Sequence, residues 1–300
     1  MIDALSLDHK RGAAEIVNDV GELFHDIADY AEEDSAAAEQ LFRRAVRRLA
    51  RGQPSMAPVL NLLNRVCLAW EASDPDWMRF KDHLVVLRES RRRGIEKMIE
   101  RVGELPRPEA PLIAFSNSST VAQLILECHR KFGSPRRVFC SEGRPMMEGL
   151  ILARKLVAGG VEVTLFTDAA LMSRTVEAGA VWIGGDSLSS EGLVNKIGSR
   201  ALAILAKAQG IPFISLMDSN KILSSQMFGF FRLLKQNPRE IAADDMKGVE
   251  IVNEYYESLP MKLVSAVFTE RGLSKPKSLL ASYDYDPVSP TFERLVSGSM

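Results

Sequence analysis

The chain has 300 residues, a formal net charge of −1, 46% hydrophobic and 26% charged residues, an ordinary globular balance with room for two modest domains. That balance gives no electrostatic footprint for direct nucleic-acid binding, and the run Arg88-Glu89-Ser90-Arg91-Arg92-Arg93 reads as a solvated helix face. No stretch reaches the roughly 18 apolar residues of a membrane helix, and Met1-Ile2-Asp3-Ala4-Leu5 lacks a secretory pattern. Cys67, Cys128 and Cys140, with His9, His25, His83 and His129, show no metal-ligand spacing. A cytoplasmic protein with no metal, no cofactor and no membrane contact is therefore expected.

The first hundred residues read as helices. Phe24, Ile27, Ala28 and Ala31 recur at helical spacing before the break Glu32-Glu33-Asp34-Ser35, and a second helix runs from Ala36 to Leu49. Pro54 and Pro58 bracket the start of a third, carrying Val59, Leu60, Leu62, Leu63 and Val66. Ser73-Asp74-Pro75 caps a long charged fourth helix toward Val102. Three prolines in the nine residues Gly103 to Pro111 remove backbone donors and disfavour helix, so a helical domain is expected over 1–105 and a second domain over 106–300.

There the rhythm changes. Strands are expected over Leu112–Phe115, Val138–Cys140, Val161–Phe166, Ala180–Ile183 and Pro212–Met217, and helices over Thr120–Phe132, Met146–Ala158, Ala170–Ala178 and Ile197–Ala208. Gly133, Gly159-Gly160, Gly179 and Gly210 sit where helix C-termini should be. Such alternation implies an α/β domain with a mostly parallel sheet, whose ligands bind beyond the carboxyl ends of the strands. Polar motifs fall at those ends: Ser116-Asn117-Ser118-Ser119, Ser141-Glu142-Gly143-Arg144, Thr167-Asp168, Asp186 and Asp218-Ser219-Asn220. Gly184 to Gly198 is the most informative stretch. Ala180-Val181-Trp182-Ile183 leads into Asp186, a small-residue loop, and an Asn195-Lys196 pair expected to open a helix, so that a carboxylate and a cation would face an anionic small molecule. There is no G-x-G-x-x-G and no Walker A motif, so this is not an ordinary dinucleotide or P-loop domain.

In this order the motifs resemble the family that unites the alpha, beta and delta subunits of eukaryotic translation initiation factor 2B with methylthioribose-1-phosphate and ribose-1,5-bisphosphate isomerases. The matching residues are Ile113 to Ser119, Ser141-Glu142-Gly143-Arg144-Pro145 with Gly149, Gly185-Asp186 with Asn195-Lys196-Ile197-Gly198, Asn253 to Glu257 with Pro260 and Thr269-Glu270, and Arg11-Gly12-Ala13. The resemblance implies a helical N-terminal domain, a Rossmann-like C-terminal domain, a sugar-phosphate pocket between them, and a homodimer or higher homo-oligomer. It assigns the acid that protonates the ring oxygen to Asp186, and places Ser116 where the isomerases carry a cysteine that shuttles a proton. It also places Gln53 where the methylthioribose-phosphate enzyme has an arginine, and Glu148 where the isomerases have glutamine. A serine hydroxyl is a far weaker acid than a thiol of pKa about 8.5. One cation is lost and one anion gained, and both changes oppose a phosphate of charge about −1.5 to −2 if both residues line the pocket.

The substrate-binding set is then Arg11, Gly12, Ala13, Gln53, Asn117, Ser118, Ser119, Glu142, Arg144, Glu148, Asn195 and Lys196. Cys140 is either a second thiol near the pocket or a small buried apolar residue. Arg144 is either a phosphate ligand or an ion-pair partner of Glu142 or of the dimer partner. The expected function is that of an initiation-factor-2B-like protein that binds a phosphorylated sugar without turning it over, or regulates through it. The alternatives are an aldose-ketose isomerase of sugar 1-phosphates and an assembly subunit with a vestigial pocket.

Overall fold

The protein is described here from a computed structural model covering residues 1–8, 11–244 and 246–298; His9 lies outside the described residues. The chain forms two compact units, one of residues 1–93, 220–232 and 283–300, the other of residues 94–219 and 233–282.

The first unit is helical. It is built on α1 (Ile2–Ser6), α2 (Ala13–Tyr30), α3 (Ser35–Gly52), α4 (Ala57–Ala72) and the opening turns of α5 (Trp77–Glu100). In α2 the buried side chains Ile16, Val17, Val20, Leu23, Phe24, Ile27 and Ala28 fall on one stripe. Asp34 caps α3 by accepting from the Ala37 amide at 2.9 Å, and a proline opens α4, where a missing N–H costs nothing. The core is an aromatic group: Phe42 meets Phe24, Trp70 and Phe80 with ring centroids 5.3 to 5.7 Å apart.

The second unit carries the sheet. Its strands are β1 (Leu112–Phe115), β2 (Arg137–Ser141), β3 (Glu162–Phe166), β4 (Ala180–Ile183), β5 (Ser187–Ser189), β6 (Gly192–Lys196), β7 (Phe213–Leu216), β8 (Tyr256–Leu259), β9 (Ala266–Thr269) and β10 (Gly272–Ser274). Seven form one sheet in the order β10-β9-β7-β4-β1-β2-β3, parallel except for the edge strand β10. The expected α/β architecture with a mostly parallel sheet is therefore present. Its helices are α6 (Ser119–Phe132), α7 (Gly149–Ala158), α8 (Asp168–Ser173) and α9 (Ser199–Ala208). Helix α6 packs on α7, and α8 on α9. Right-handed crossovers put these pairs on opposite faces once the strand order reverses. The sheet strands β1 and β4 are buried along their whole length, as parallel strands covered on both sides must be.

That reversal lies between β1 and β4. From β1 the chain steps outward through β2 and β3, then returns to β4 on the other side of β1 and continues to β7 and β9. In open sheets of this kind the carboxyl ends of the strands at such a reversal are where ligands bind.

Three local expectations are corrected. Asn195 and Lys196 do not open a helix: they end strand β6, and α9 begins only at Ser199. The small-residue loop is a hairpin, with Ser187 opposite Val194 and Leu188 opposite Leu193. Its second strand pairs on its other side with β8, placing Lys196 opposite Tyr256. The third strand supplies the hydrogen bonds that hold 193–196 extended, and it comes from far along the chain. Finally, α7 begins at Gly149 rather than Met146, because Gly149 N–H bonds the Glu142 carbonyl at 3.0 Å and Met147 N–H bonds Gly143 at 2.7 Å, a folded-back turn in place of the first helical turn.

Gly149 makes that turn possible. A Cβ on it would lie 1.7 Å from the Ser141 carbonyl oxygen, which belongs to a buried strand and cannot yield. Gly149→Ala is expected to lower stability by about 1–3 kcal/mol or more, read as a fall in the urea or thermal unfolding midpoint; an unchanged midpoint would show that the turn relaxes freely.

Candidate functional site

Each side of the strand-order reversal is built by a short motif. After β1, Ser116 adopts a left-handed backbone with φ 65°, unusual for a residue with a side chain and frequent at functional turns. Ser118 then caps α6, its hydroxyl accepting from the Val121 amide at 3.3 Å. After β4, the chain passes through Gly184 and Gly185 to Asp186, whose amide bonds the Val194 carbonyl at 2.8 Å. A Cβ on Gly184 would sit 3.0 Å from that of Ser118, so glycine lets the two strand-end loops touch.

The third contribution comes from the loop after β2. Gly143 and Arg144 donate their amides to the Asp168 carboxylate at 3.0 and 2.8 Å. With the loop pinned in this way, Glu148 projects inward. Its Oε1 accepts from the Ser116 hydroxyl at 3.1 Å and faces Lys196 Nζ at 2.7 Å. The Lys196 side chain is 6% exposed and that of Glu148 18%, so this ion pair is shielded from solvent. Lys196 Nζ also stands 5.2 Å from the centre of the Tyr255 ring. Four residues from four separate segments of the chain are thereby joined.

The same strand-end segments carry oxygens with nothing to bond among the described residues. Asn117 Oδ1, Ser141 Oγ and Glu148 Oε2 are all buried and have no hydrogen-bond partner among the described residues. Buried polar atoms are normally satisfied, and these three come from the same strand ends as Ser116 and Glu148. Tyr256 completes the group: burial, followed by the nearby carboxylates of Asp186 and Glu148, pushes its phenol pKa upward. It therefore stays a neutral hydroxyl.

Other residues of the expected set have more local duties. Asn195 is buried and donates to the Ser199 hydroxyl at 2.9 Å. Glu142 is half-buried and continues the β2–β3 pairing through its amide, which bonds Phe166 O at 2.9 Å. Ser119 opens α6. The Arg144 side chain is exposed, and among the described residues no ion pair to Glu142 is formed. In the first unit, Arg11 is bound by Asp8 and Asp19 at 2.6 Å each, Gly12 and Ala13 start α2, and Gln53, 2% exposed, donates to the carbonyls of Leu5 and Asp8 at 2.7 Å. Cys140 is fully buried within β2, and burial lifts its thiol to about 12, so it supplies no thiolate. Among the described residues no group of His, Cys, Asp and Glu is placed to hold a metal ion, and no helix is long and apolar enough to cross a membrane.

Sequence reasoning missed Tyr256 and Ser141 as members of this group. Both lie inside quoted motifs, so a signal existed, but only the register opposite Lys196 and the absence of a partner give them meaning.

The model of the Initiation factor 2 subunit family matches residues 9–276. The chain belongs to that family. Among its relatives, a ribose 1,5-bisphosphate isomerase from Methanocaldococcus jannaschii is 26% identical over 263 residues, covering 84% of this chain and 83% of the relative. A methylthioribose-1-phosphate isomerase from Parabacteroides distasonis is 29% identical over 260 residues, covering 77% and 76%. In fold, the chain is similar to the Pyrococcus horikoshii OT3 translation initiation factor eIF-2B, with TM-score 0.79 at 24% identity over 93% of this chain and 97% of that one. The 5-methylthioribose 1-phosphate isomerase from the same organism shares the fold at TM-score 0.70 and 21% identity, over 98% and 86%. Proteins named as isomerases and as a translation initiation factor thus share this fold, and a role has to be argued from the site.

Proposed function

We propose that this chain binds a phosphorylated sugar at the carboxyl ends of β1, β2 and β4. The observation that carries the reading is the Ser116–Glu148–Lys196 group at the ends of β1, β2 and β6, on strand-end segments where Asn117 Oδ1, Ser141 Oγ and Glu148 Oε2 are buried with no hydrogen-bond partner among the described residues. Asn117 Oδ1 and Glu148 Oε2 are acceptors, and a sugar offers hydroxyl donors. The phosphate falls to the amides at the start of α6 and to the Arg144 guanidinium, whose planar fork suits phosphate oxygens. Lys196 is less available, because Glu148 already neutralises it.

The test is phosphorus NMR and calorimetry with ribose 1,5-bisphosphate and methylthioribose 1-phosphate, the substrates that name two of the relatives. Saturable binding is expected. Arg144→Ala is expected to weaken it about tenfold, the value of one charge-assisted hydrogen bond of about 1.5 kcal/mol, and equal affinity in that variant would remove Arg144 from the phosphate site. No binding across the panel would overturn the reading.

A second reading, turnover of the bound sugar phosphate to its ketose, is favoured by one specific observation: two carboxylates attend one hairpin, Asp186 leading into β5 with its amide on Val194 O at 2.8 Å and Glu148 facing Lys196 at the end of β6 at 2.7 Å. Two carboxylates in one site supply the two proton-transfer roles of an aldose-ketose isomerisation, and the reaction moves only protons, so it needs no cofactor. The same panel followed by proton NMR reads it as new ketose signals. Binding with no ketose formed would return the chain to a non-catalytic or regulatory role.

A further inference from the structure

We infer that Glu148 is the group that moves the proton between the two sugar carbons, replacing the thiol for which Ser116 is a poor substitute. The inference rests on the turnover reading above and deepens it. Aldose-ketose isomerisation of a ring sugar 1-phosphate has two halves. An acid gives a proton to the ring oxygen as the bond from C1 to that oxygen breaks. A base then removes the hydrogen on C2 as a proton, forming an enol between C1 and C2. The same base returns that proton to C1, and the C2 hydroxyl proton goes back to the first group as the ketone forms. Atoms balance, each group ends as it began, and no oxidant is needed.

Ser116 cannot take the second role unaided, because its hydroxyl does not ionise near neutral pH. Nor can Cys140, which is locked in the sheet and held protonated by burial. Glu148 has what the step requires. One oxygen, Oε1, is fixed by the Ser116 hydroxyl and Lys196 Nζ at 3.1 and 2.7 Å. The other, Oε2, is buried and has no partner. The fixed Oε1 sets the direction of Oε2. A carboxylate that served only as a structural ion-pair partner would have no need to leave its second oxygen buried and bare. Glutamate is a competent base for proton abstraction beside a carbonyl in other enzymes. On this inference Ser116 is a positioning residue that holds Oε1, and Asp186 remains the acid at the ring oxygen.

The test compares wild type, Glu148→Gln, Glu148→Asp and Ser116→Ala with the sugar-phosphate panel in deuterated water, recording affinity by phosphorus NMR, ketose formation, and deuterium at C1 of the product by proton NMR. Melting temperatures report folding. The expected result is turnover in the wild type, and a loss of at least about 100-fold in Glu148→Gln that saturating ligand does not restore. Ser116→Ala should fall only a few-fold, and Glu148→Asp should recover part of the rate lost in the glutamine variant. Turnover and deuterium incorporation that persist in Glu148→Gln overturn the inference while the isomerase reading stands. So does turnover that vanishes in Ser116→Ala but not in Glu148→Gln. Binding without turnover removes the step and leaves the binding reading, and absence of binding removes both.

Discussion

Asp186→Asn is expected to cut conversion of the sugar 1-phosphate by about 10²- to 10⁴-fold, with melting temperature and ligand affinity close to wild type. The substitution keeps the size and the hydrogen-bonding outline of the side chain but cannot deliver a proton. The Asp186 amide, which bonds Val194 O at 2.8 Å, is untouched by the substitution. The Tyr256 phenol gives an independent readout. The Asp186 charge is one of the causes that hold its pKa up, so neutralising residue 186 should lower the phenol's titration in ultraviolet absorbance. Undiminished turnover by Asp186→Asn would remove this residue from the mechanism, whatever the binding data say.

The second large effect concerns stability. Lys196→Met should destabilise the fold by about 2–3 kcal/mol, somewhat below the 3–5 kcal/mol typical of stripping one partner from a fully buried ion pair, since Glu148 keeps some solvent contact. Methionine fills much the same volume on β6, so the loss comes from the stranded Glu148 carboxylate rather than from a cavity. Adding Glu148→Gln to Lys196→Met should recover most of it, because the charge that lost its partner is then gone. Urea unfolding of the two single variants and the double variant closes the cycle. Additive effects would mean that the two side chains do not depend on each other, and the proximity at 2.7 Å would carry no energetic weight.

Much of this was legible in the sequence. The alternation of short apolar runs and helical stretches from Leu112 onward fixes a parallel sheet, because only crossover helices connect such strands. The polar tetrads at 116–119 and 141–144 fall at strand ends, as they do in the structure. What could not be read are the features set by distant partners. Lys196 and Asn195 follow a Gly-Ser-rich stretch and precede Ile197-Gly198-Ser199, a pattern that suits a helix start; β8 holds them extended instead. The inward aim of Glu148 depends on Gly149 packing against the Ser141 carbonyl, a close approach that no periodicity announces. Likewise, Arg11 reads as a free cation until Asp8 and Asp19 are seen on either side of it.

The hairpin β5–β6 has a consequence for how this chain can vary. Its open end carries Asp186 and Lys196, whereas the tip, Ser190-Glu191, points away at the far end of the ribbon. Added length at the tip leaves the acid and the cation where they are. A single residue gained or lost along either leg, however, would turn every side chain after it to the opposite face, exchanging Asn195 with Lys196 and uncoupling Glu148 at a stroke. Descendants of this sequence are thus free to drift at the tip, while the legs can change in chemistry but not in count.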